Sequence, residues 1–465
     1  MANNNLELKK SLTPLHLWAI GVGIVISGNY FGWNFGLGES GYLGMLLATI
    51  FMAVMYTFMC LGISELSTAL PHAGGPYSFA RRAMGPYIGF LTGIGVVLQY
   101  FIAAPVIAIG IGAYINFLFP AVSPIAAAAF MYLFFMAVHI LGIKEYATLE
   151  MIFVFIALGL LILMYFVGLP QVRVENLFGT EGASLIPGGI KGIWSAIPYA
   201  MWLFLAIEML PMLSEECNDV KKDMPKGIIS GMITLLILSV LTTTVAIGLA
   251  GIDVMTVAED PLPAAVGAAY GNSYWLSQIL ASVGLVGLVA SFSGVILAYS
   301  RQIFALSRAG YLPSFLSKLH KTRRTPYLAI ILPGIIGLAL VVLFNPDDLI
   351  LISTFGALIS YITMNLSVLI LRKKEPELHR PFKTPLYPIA PVVSLALAVI
   401  SIFASFFANL TFFFICIGVF VLSSLYYFVW ARHRINKDAP EEQFANEQTS
   451  DAAAIPVTPP NMNIE

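Results

Sequence analysis

One acidic residue lies deep inside a long apolar segment and is the clearest candidate for chemistry in this sequence. Glu208 belongs to the apolar run Ile193–Leu213, and Trp202, Phe204 and Pro211 lie near it in that run. Because a charge at the centre of a membrane helix costs about 2.5–3.5 kcal/mol, the residue needs a specific role. A carboxylate among aromatic rings suits a small organic ammonium, since a ring face adds about 0.5–2 kcal/mol of cation–π attraction. The alternative is structural: Glu208 is protonated, or it accepts hydrogen bonds from backbone amides at a helix break.

Other ionisable residues within or beside apolar segments have simpler interpretations. Glu65 lies near the end of the second apolar segment, and we interpret it as a tie between helices or to the loop at Arg81. Glu215 and Glu216 follow the segment of Glu208 amid lysines, which is typical of a solvated ionic network at a gate. His139 is a single histidine in an apolar run, and we interpret it as a packing residue.

The sequence contains no recognisable enzyme or metal-binding pattern. HExxH, GxSxG and P-loop motifs are absent, and so are paired metal ligands. Cys60, Cys217 and Cys416 are far apart and predict neither a disulfide framework nor a zinc site. The 24 Lys and Arg nearly cancel the 25 Asp and Glu, so no basic field favours nucleic acid. We therefore expect a protein that is not an enzyme and that has no metal, cofactor or nucleic-acid partner.

The composition predicts an all-α integral membrane protein. Of its 465 residues, 58% are hydrophobic and 11% are charged, whereas soluble domains have about 25% charged residues. A crossing needs about 20 apolar residues, and twelve runs qualify. The predicted spans are Thr13–Leu37, Tyr42–Leu70, Pro86–Phe119, Pro124–Gly142, Leu149–Val167, Ile193–Leu213, Gly227–Gly251, Trp275–Leu306, Tyr327–Phe344, Asp348–Leu371, Ile389–Phe407 and Leu410–Trp430.

The basic residues predict the orientation of these spans. With a cytoplasmic N-terminus, 22 of the 24 Lys and Arg residues fall on the cytoplasmic side, and only Arg173 and Lys191 lie outside. We therefore predict a cytoplasmic segment 1–12, a transmembrane domain 13–430 and a cytoplasmic tail 431–465 in a plasma (inner) membrane protein. The tail is polar and has little to bury, so we predict that it is disordered.

The span lengths predict an internal repeat. The third and eighth spans are much longer than a bilayer requires, and each follows an amphipathic stretch rich in Pro and Gly. The first and sixth spans are both interrupted by Gly or Pro. Since these features recur at an offset of five spans, the second copy must insert upside down. We predict a 5+5 inverted repeat (13–168 and 193–371) with broken helices one and six, plus two extra helices (389–430). The alternative for the first span is close helix packing at Gly28, Gly32 and Gly36.

Several motifs resemble the amino acid–polyamine–organocation permease family over about residues 12 to 430. Residues Glu65–Tyr77 resemble its signature E-L-x-x-x-x-P-x-A-G-G-x-Y, and Ser214–Ile228 resembles its element E-E-x-x-[ND]-[PD]-x-x-x-x-P-x-x-I. Ser307–Pro313 and Arg380–Pro385 are similar to further family motifs. The stretches Phe31–Leu37 and Ala206–Met212 look most like the ethanolamine permease branch; the second contains Glu208.

The resemblance implies a substrate site at the two broken helices. Family amino acid permeases hold the substrate carboxylate on a glycine-rich run in the first break, where this chain keeps only Gly28 of those glycines. The implied site has the substrate ammonium facing Glu208, its hydroxyl near the first break, and aromatic side chains closing over it. The residues other than Glu208 are Ser27, Gly28, Asn29, Tyr30, Trp33, Trp202 and Phe204.

The sequence leaves the coupling ion open. Sodium-coupled proteins of this architecture use paired hydroxyls on the eighth span, but Ser291 and Ser293 are spaced to point to different helix faces. We favour a proton over sodium, with Glu208 or Glu65 as protonation sites.

Our hypothesis from the sequence is a secondary active transporter that imports a small amine, ethanolamine first, by alternating access. An α-amino acid permease or exchanger of the same fold is the alternative, and a membrane sensor that does not transport is a third. The expected partners are a small-molecule amine or amino acid and the lipid bilayer; the sequence does not indicate an oligomeric state.

We predict that both termini are cytoplasmic, because the twelve-span topology places almost all basic residues on that side. A protease added to right-side-out vesicles should leave a C-terminal tag intact, whereas the same protease should remove it from inverted vesicles. Loss of the tag from right-side-out vesicles would contradict this topology.

Overall fold

The computed structural model describes residues 11–72, 74–141, 146–178, 184–272, 274–323 and 325–446, most of which lie in helices. The α-helices of these residues, in chain order, are α1 (Pro14–Val25), α2 (Ser27–Tyr30), α3 (Leu37–Ala69), α4 (Gly75–Met84), α5 (Pro86–Leu118), α6 (Pro124–Leu141), α7 (Tyr146–Gly168), α8 (Val174–Phe178), α9 (Gly189–Trp202), α10 (Val220–Ala250), α11 (Ile252–Val257), α12 (Pro261–Tyr270), α13 (Trp275–Arg308), α14 (Tyr327–Leu343), α15 (Pro346–Lys374), α16 (Ile389–Ala408), α17 (Leu410–Val429) and α18 (Pro440–Asn446). Short 3₁₀ segments lie at Trp33–Gly36, Leu169–Gln171, Ile207–Glu216, Ser314–Ser317 and Ala431–His433.

The expectation of an all-helical membrane protein is confirmed. Ten helical segments in the described part are long and apolar enough to cross a bilayer. The two other predicted spans are shorter helices: α1 has 12 residues before its break, and α14 has 17. The count of twelve therefore stays a prediction. We use "inner side" for the side where α3 ends and α5 begins, because the basic residues predict that it is cytoplasmic.

The chain is interrupted at both places where the sequence predicted a broken helix. The first interruption follows α1: α2 has only four residues, and Gly32 then adopts a left-handed conformation with φ +97°. The second follows α9, and Ala206 has φ +88° before the 3₁₀ segment begins at Ile207. A left-handed conformation costs a residue with a Cβ about 1–2 kcal/mol, so the surrounding structure must hold Ala206 in place.

Two long helices pass beside the interruptions. α5 has 33 residues and α13 has 34, and they pack against each other. Each follows a short helix of ten residues, α4 or α12, at the positions where the sequence has amphipathic stretches. These paired features agree with the predicted inverted repeat, which itself stays a prediction.

A buried carboxylate ties three segments together on the inner side. Glu65 at the end of α3 is 1% exposed and pairs with Arg372 of α15 at 2.5 Å and with Arg380 at 3.1 Å. It also accepts a hydrogen bond of 2.7 Å from the backbone N–H of Thr384. The interpretation of Glu65 as a tie between helices agrees with these contacts, but its partner is not the loop at Arg81. Arg81 binds a residue of the tail instead.

The structure corrects the prediction that the tail is disordered from residue 431. Residues 431–446 contain a 3₁₀ turn and α18, and both Glu441 and Glu442 of α18 are 1% exposed. The physical reason is that arginines on the inner surface neutralise these acids, which composition alone could not reveal. The rest of the predicted tail, and the predicted segment 1–12 up to residue 10, lie outside the described residues.

We predict that Glu65→Gln lowers the stability of the detergent-solubilised protein markedly. The change leaves two guanidinium groups without their counter-charge in a buried site, where breaking an ion pair costs about 3–5 kcal/mol. The measurement is the temperature at which half of the protein aggregates, followed by size-exclusion chromatography.

The matched control for this prediction is Glu39→Gln. Glu39 and Lys191 form a long pair of 3.8 Å whose side chains are 55% and 63% exposed, and exposed pairs contribute only about 0–1 kcal/mol. Equal melting temperatures for the two variants would contradict the structural role of Glu65.

Candidate functional site

A small cavity lies where the two interrupted helices meet. Its lining is mostly apolar and comes from both interruptions and from the long helices: Ile24, Val25, Ser27, Ala103, Ile107, Trp202, Leu205, Ala206 and Val295. Its volume of about 10 Å³ for a water-sized sphere is room for about one water molecule. The cavity is therefore too small for an organic solute and would have to widen before one could enter.

Gly28 lets the two interruptions approach each other. A Cβ atom on Gly28 would lie 2.5 Å from the carbonyl oxygen of Trp202, which is closer than real Cβ atoms come to other atoms. The backbones of the two broken spans are thus in direct contact. Interrupted backbone is tolerated at membrane depth only where protein encloses it, and this contact supplies part of that enclosure.

A pair of hydroxyl groups joins the first interruption to α13. The Ser27 and Ser291 hydroxyl oxygens are 2.7 Å apart, and the Ser291 hydroxyl also donates to the carbonyl oxygen of Ile24. Ser293 faces another way and lies 3.0 Å from the imidazole Nε2 of His139. The prediction that the two serines face different sides is confirmed. Of these two serines, only Ser291 has its hydroxyl at the first interruption.

Glu208 is held by side chains of the neighbouring helices. It is 0% exposed, and its Oε1 accepts hydrogen bonds from the Gln99 amide and from the Tyr100 hydroxyl, the latter at 3.2 Å. Tyr56 and Tyr361, whose hydroxyls are hydrogen-bonded at 2.9 Å, interact electrostatically with the carboxylate. Within the described residues, Oε2 of Glu208 has no hydrogen-bond partner.

These residues form a polar layer on the inner side of the cavity. Gln99 lies one helical turn before Ala103, which lines the cavity, and α5 runs from the inner to the outer side. Glu208 likewise follows Ala206 toward the inner side. We call Gln99, Tyr100, Glu208, Tyr56 and Tyr361 the inner layer. Glu208 lies in this layer and is not among the residues that line the closed cavity.

An aromatic closure lies on the outer side of the cavity. The indole N–H of Trp202, which lines the cavity, donates a hydrogen bond of 2.9 Å to the carbonyl oxygen of Phe31. Phe31 also lines an outer vestibule of about 560 Å³ that includes Glu259 and Asp347. We call Trp202 and Phe31 the outer closure. The structure is therefore closed on both sides of the cavity.

A titratable acid, Asp260, is adjacent in the chain to a residue that lines this vestibule. Asp260 directly follows Glu259, and burial raises the pKa of its carboxyl from 3.8 to about 7, with a further increase from the Glu259 charge. Its charge therefore changes near neutral pH on the outer side.

The other residues of the predicted site take varied positions. Asn29 is completely buried and its side-chain amide has no hydrogen-bond partner in the described part of the chain. The same is true of the Trp33 indole N–H. The Tyr30 hydroxyl donates to the carbonyl of Ala157 at 2.8 Å, so it is used in packing against α7. The Phe204 ring packs on Tyr56, with ring centres 5.4 Å apart, and not over the cavity.

The acids after the second interruption fasten the inner end of that span. Glu216 pairs with Arg301 of α13 at 3.1 Å, and its backbone carbonyl accepts hydrogen bonds from Ser11 and Leu12. Glu215 is exposed. Burial raises the pKa of the next residue, Cys217, to about 12, with further increases from nearby acids, which makes a reactive thiolate unfavourable there.

Sequence reasoning missed most of the inner layer and the hydroxyl contact at Ser291. Gln99, Tyr100, Tyr56 and Tyr361 come from three different spans, and no sequence spacing brings them together. A usable signal existed for Gln99, because an amide in a 33-residue apolar helix also needs a partner.

The model of the family described as amino acid permease matches residues 12–429, which is most of the chain.

Three relatives match over most of both sequences. An uncharacterised transporter of Rhizobium meliloti is 30% identical, covering 87% of this chain and 88% of the relative. A branched-chain amino acid permease of Bacillus subtilis is 25% identical, covering 83% and 86%. A methylthioribose transporter of the same organism is 24% identical, covering 83% and 87%.

Proposed function

Because the chain belongs to the amino acid permease family, we propose that it is a secondary transporter of a small α-amino acid with an apolar side chain. The observation that carries this proposal is the mostly apolar cavity between the two interrupted spans. At a helix break, some backbone N–H and C=O groups have no partner within the helix. Such groups can bind an amino acid zwitterion, because the N–H groups attract its carboxylate and the C=O groups attract its ammonium. The name of one relative, the branched-chain amino acid permease of Bacillus subtilis, points the same way.

Two unpaired polar groups at the first interruption support a wider, ligand-bound form. A buried polar group without a partner costs about 1–3 kcal/mol, and Asn29 and Trp33 both carry such groups near the first interruption. A solute that hydrogen-bonds to them recovers this energy, so the protein gains part of the free energy for opening the site from binding itself.

Transport then requires the two closures to open in turn. Breaking the Trp202–Phe31 hydrogen bond connects the cavity to the outer vestibule, and separating α5 from the second interruption at the inner layer connects it to the inner side. Both are closed here, and in the proposed cycle this arrangement is the occluded state between the two openings. The first two spans of each repeat are expected to rock against the long helices α5 and α13.

Ethanolamine is the second candidate substrate. It is supported by the free carboxylate oxygen Oε2 of Glu208, which can accept a hydrogen bond from an ammonium once the cavity widens toward the inner layer. We rank it second because the other oxygen is already bound by Gln99 and Tyr100, and because Glu208 does not line the closed cavity.

For coupling we propose a proton, with Glu208 as its carrier. Glu65 is a poor carrier because two arginines hold it as a carboxylate. Glu150 is a second candidate: it is 2% exposed and lies against Gly23 of α1. Sodium is the competing ion, and the oxygens of Ser27, Ser291 and Ile24 are the ligands it would use.

The test is uptake by proteoliposomes that contain the purified protein. We expect saturable accumulation of labelled leucine, isoleucine or valine when a proton gradient is imposed, and none when a sodium gradient replaces it. Uptake of ethanolamine without uptake of these amino acids would favour the second candidate. Absence of uptake for either class would contradict transport and favour a sensor.

We predict that Glu208→Gln separates the two substrate classes. Gln keeps the size of the side chain but replaces a charge-assisted hydrogen bond of about 1.5–3 kcal/mol with a neutral one of about 0.5–1.5 kcal/mol. Ethanolamine, which has the ammonium as its only charge, should bind about tenfold more weakly. Leucine, which is also held by its carboxylate, should bind with nearly unchanged affinity. The measurement is calorimetric binding of both ligands to the purified protein.

The control for this variant is Glu39→Gln, which removes an exposed carboxylate on the outer side. It should leave both affinities unchanged. A tenfold loss for leucine in Glu208→Gln would instead place Glu208 in the amino acid site, and unchanged ethanolamine affinity would remove its role as a counter-ion.

A further inference from the structure

The inner surface carries a basic and aromatic groove that is already filled. Arg81 and Tyr77 come from α4, Arg308 ends α13, and Tyr311 follows it. These residues surround the short helix α18, which belongs to the same chain. We call this surface, including Arg82 and His72 at its edge, the α4–α13 groove.

Glu442 is the central contact in the groove. Its carboxylate forms an ion pair with Arg81 at 2.6 Å and accepts hydrogen bonds from the hydroxyls of Tyr77 at 3.1 Å and Tyr311 at 2.8 Å. Burial raises the pKa of both tyrosines, and the Glu442 charge raises it further, so both keep the proton that they donate. Four donor atoms thus converge on one carboxylate.

The residues beside Glu442 also make specific contacts. Glu441 forms an ion pair with Arg308 at the end of α13. The Phe444 ring stacks on His72 with ring centres 4.5 Å apart, and the Arg82 guanidinium lies 5.6 Å from the Phe444 ring centre. Arg82 also donates to the carbonyl oxygen of Phe444. The groove therefore contacts two consecutive acids and the aromatic residue two positions after the second acid.

The groove joins a short helix that contacts the second interrupted span to one of the two long helices. α4 directly follows α3, and its first residue, Gly75, contacts the Met212 side chain in the inner half of the second interrupted span. Arg308 and Tyr311 are fixed to the long helix α13. A segment that binds both α4 and α13 therefore connects the helix that touches the second interrupted span to one of the long helices.

We propose that the α4–α13 groove is a binding site for the chain's own segment 440–446, and that this segment restrains opening toward the inner side. The restraint rests on the proposed transport function, whereas the binding site does not. Burying a carboxylate costs the free energy of its hydration, and this cost is offset only where several donors form charge-assisted hydrogen bonds with it. The acids of a polar tail would therefore stay in water unless the groove provided such donors.

The first test measures binding of the segment without any transport assay. Ala439, which precedes α18, is 2% exposed, so a cysteine placed there by Ala439→Cys should react slowly with a water-soluble maleimide in inverted vesicles. Adding Glu442→Gln in the full-length protein should speed labelling by about tenfold, because labelling follows the open fraction of the segment. The parent protein, with its buried native cysteines, gives the background.

The matched control is Asp438→Asn in the same segment. Asp438 is exposed and its side chain contacts none of the groove residues among the described contacts, so labelling should stay at the rate of the Ala439→Cys protein. The exchange of charges in Arg81→Glu with Glu442→Arg should bring labelling back toward that slow rate, since the pair is re-formed with opposite sign. This second variant separates loss of the contact from loss of folding.

The second test measures initial uptake rates in proteoliposomes for the same variants. Glu442→Gln should raise the rate about two- to fivefold, because a restrained closing element slows the opening step, and the charge exchange should lower it again. Unchanged labelling in Glu442→Gln would overturn the binding site. Faster labelling with unchanged or slower uptake would overturn the restraint. Absence of uptake in every variant, including the wild type, would contradict the transport function, while the labelling result would still decide the binding site.

Discussion

The structure depends on one constraint: interrupted backbone cannot meet lipid, so every group freed by a helix break must be enclosed by protein. A helix satisfies its own N–H and C=O groups, whereas a break leaves several of them free. Here the two breaks are placed against each other, with Gly28 in contact with the carbonyl of Trp202. The long helices α5 and α13, which pack against each other, also line the cavity between the breaks. The site therefore exists because the fold must cover its own broken helices.

The same constraint explains how the charges are distributed. Two buried carboxylates each have several partners: Glu65 has two arginines and a backbone N–H, and Glu442 has an arginine and two tyrosines. Glu208 differs, because its partners are uncharged and one of its oxygens is free. An acid that is fully paired holds structure in place, whereas an acid with spare capacity in a closed site can take up a proton or a cation. Under the proposed function, this contrast distinguishes Glu208 from the paired acids Glu65 and Glu442.

The sequence predicted the elements of this fold better than the contacts among them. Apolar run length and the offset between α5 and α13 follow from local composition, so the spans and both interruptions could be found. The position of Glu208 in the chain was evident, but its partners Gln99 and Tyr361 come from spans that are distant in sequence. The error in the tail had the same cause: whether Glu441 is solvated or buried depends on Arg308, which lies more than a hundred residues earlier. Local patterns determine helices, while the pairing of polar groups depends on tertiary packing.

The two closures of the cavity differ in chemistry, and under the proposed proton coupling this difference links the protonation of Glu208 to the direction of opening. The outer closure uses one neutral hydrogen bond, from Trp202 to Phe31, of about 0.5–1.5 kcal/mol net. The inner layer uses a carboxylate with two donors, and hydrogen bonds to charged groups contribute about 1.5–3 kcal/mol each. With Glu208 ionised, the inner side is therefore the harder one to open. A proton on Glu208 converts those bonds into weaker neutral ones, which reduces the preference for the outer opening. A ligand shifts an equilibrium only by its differential affinity for the two states. In the proposed mechanism the proton therefore acts on the inner layer and the substrate acts on the cavity, so that both are needed before the inner side opens.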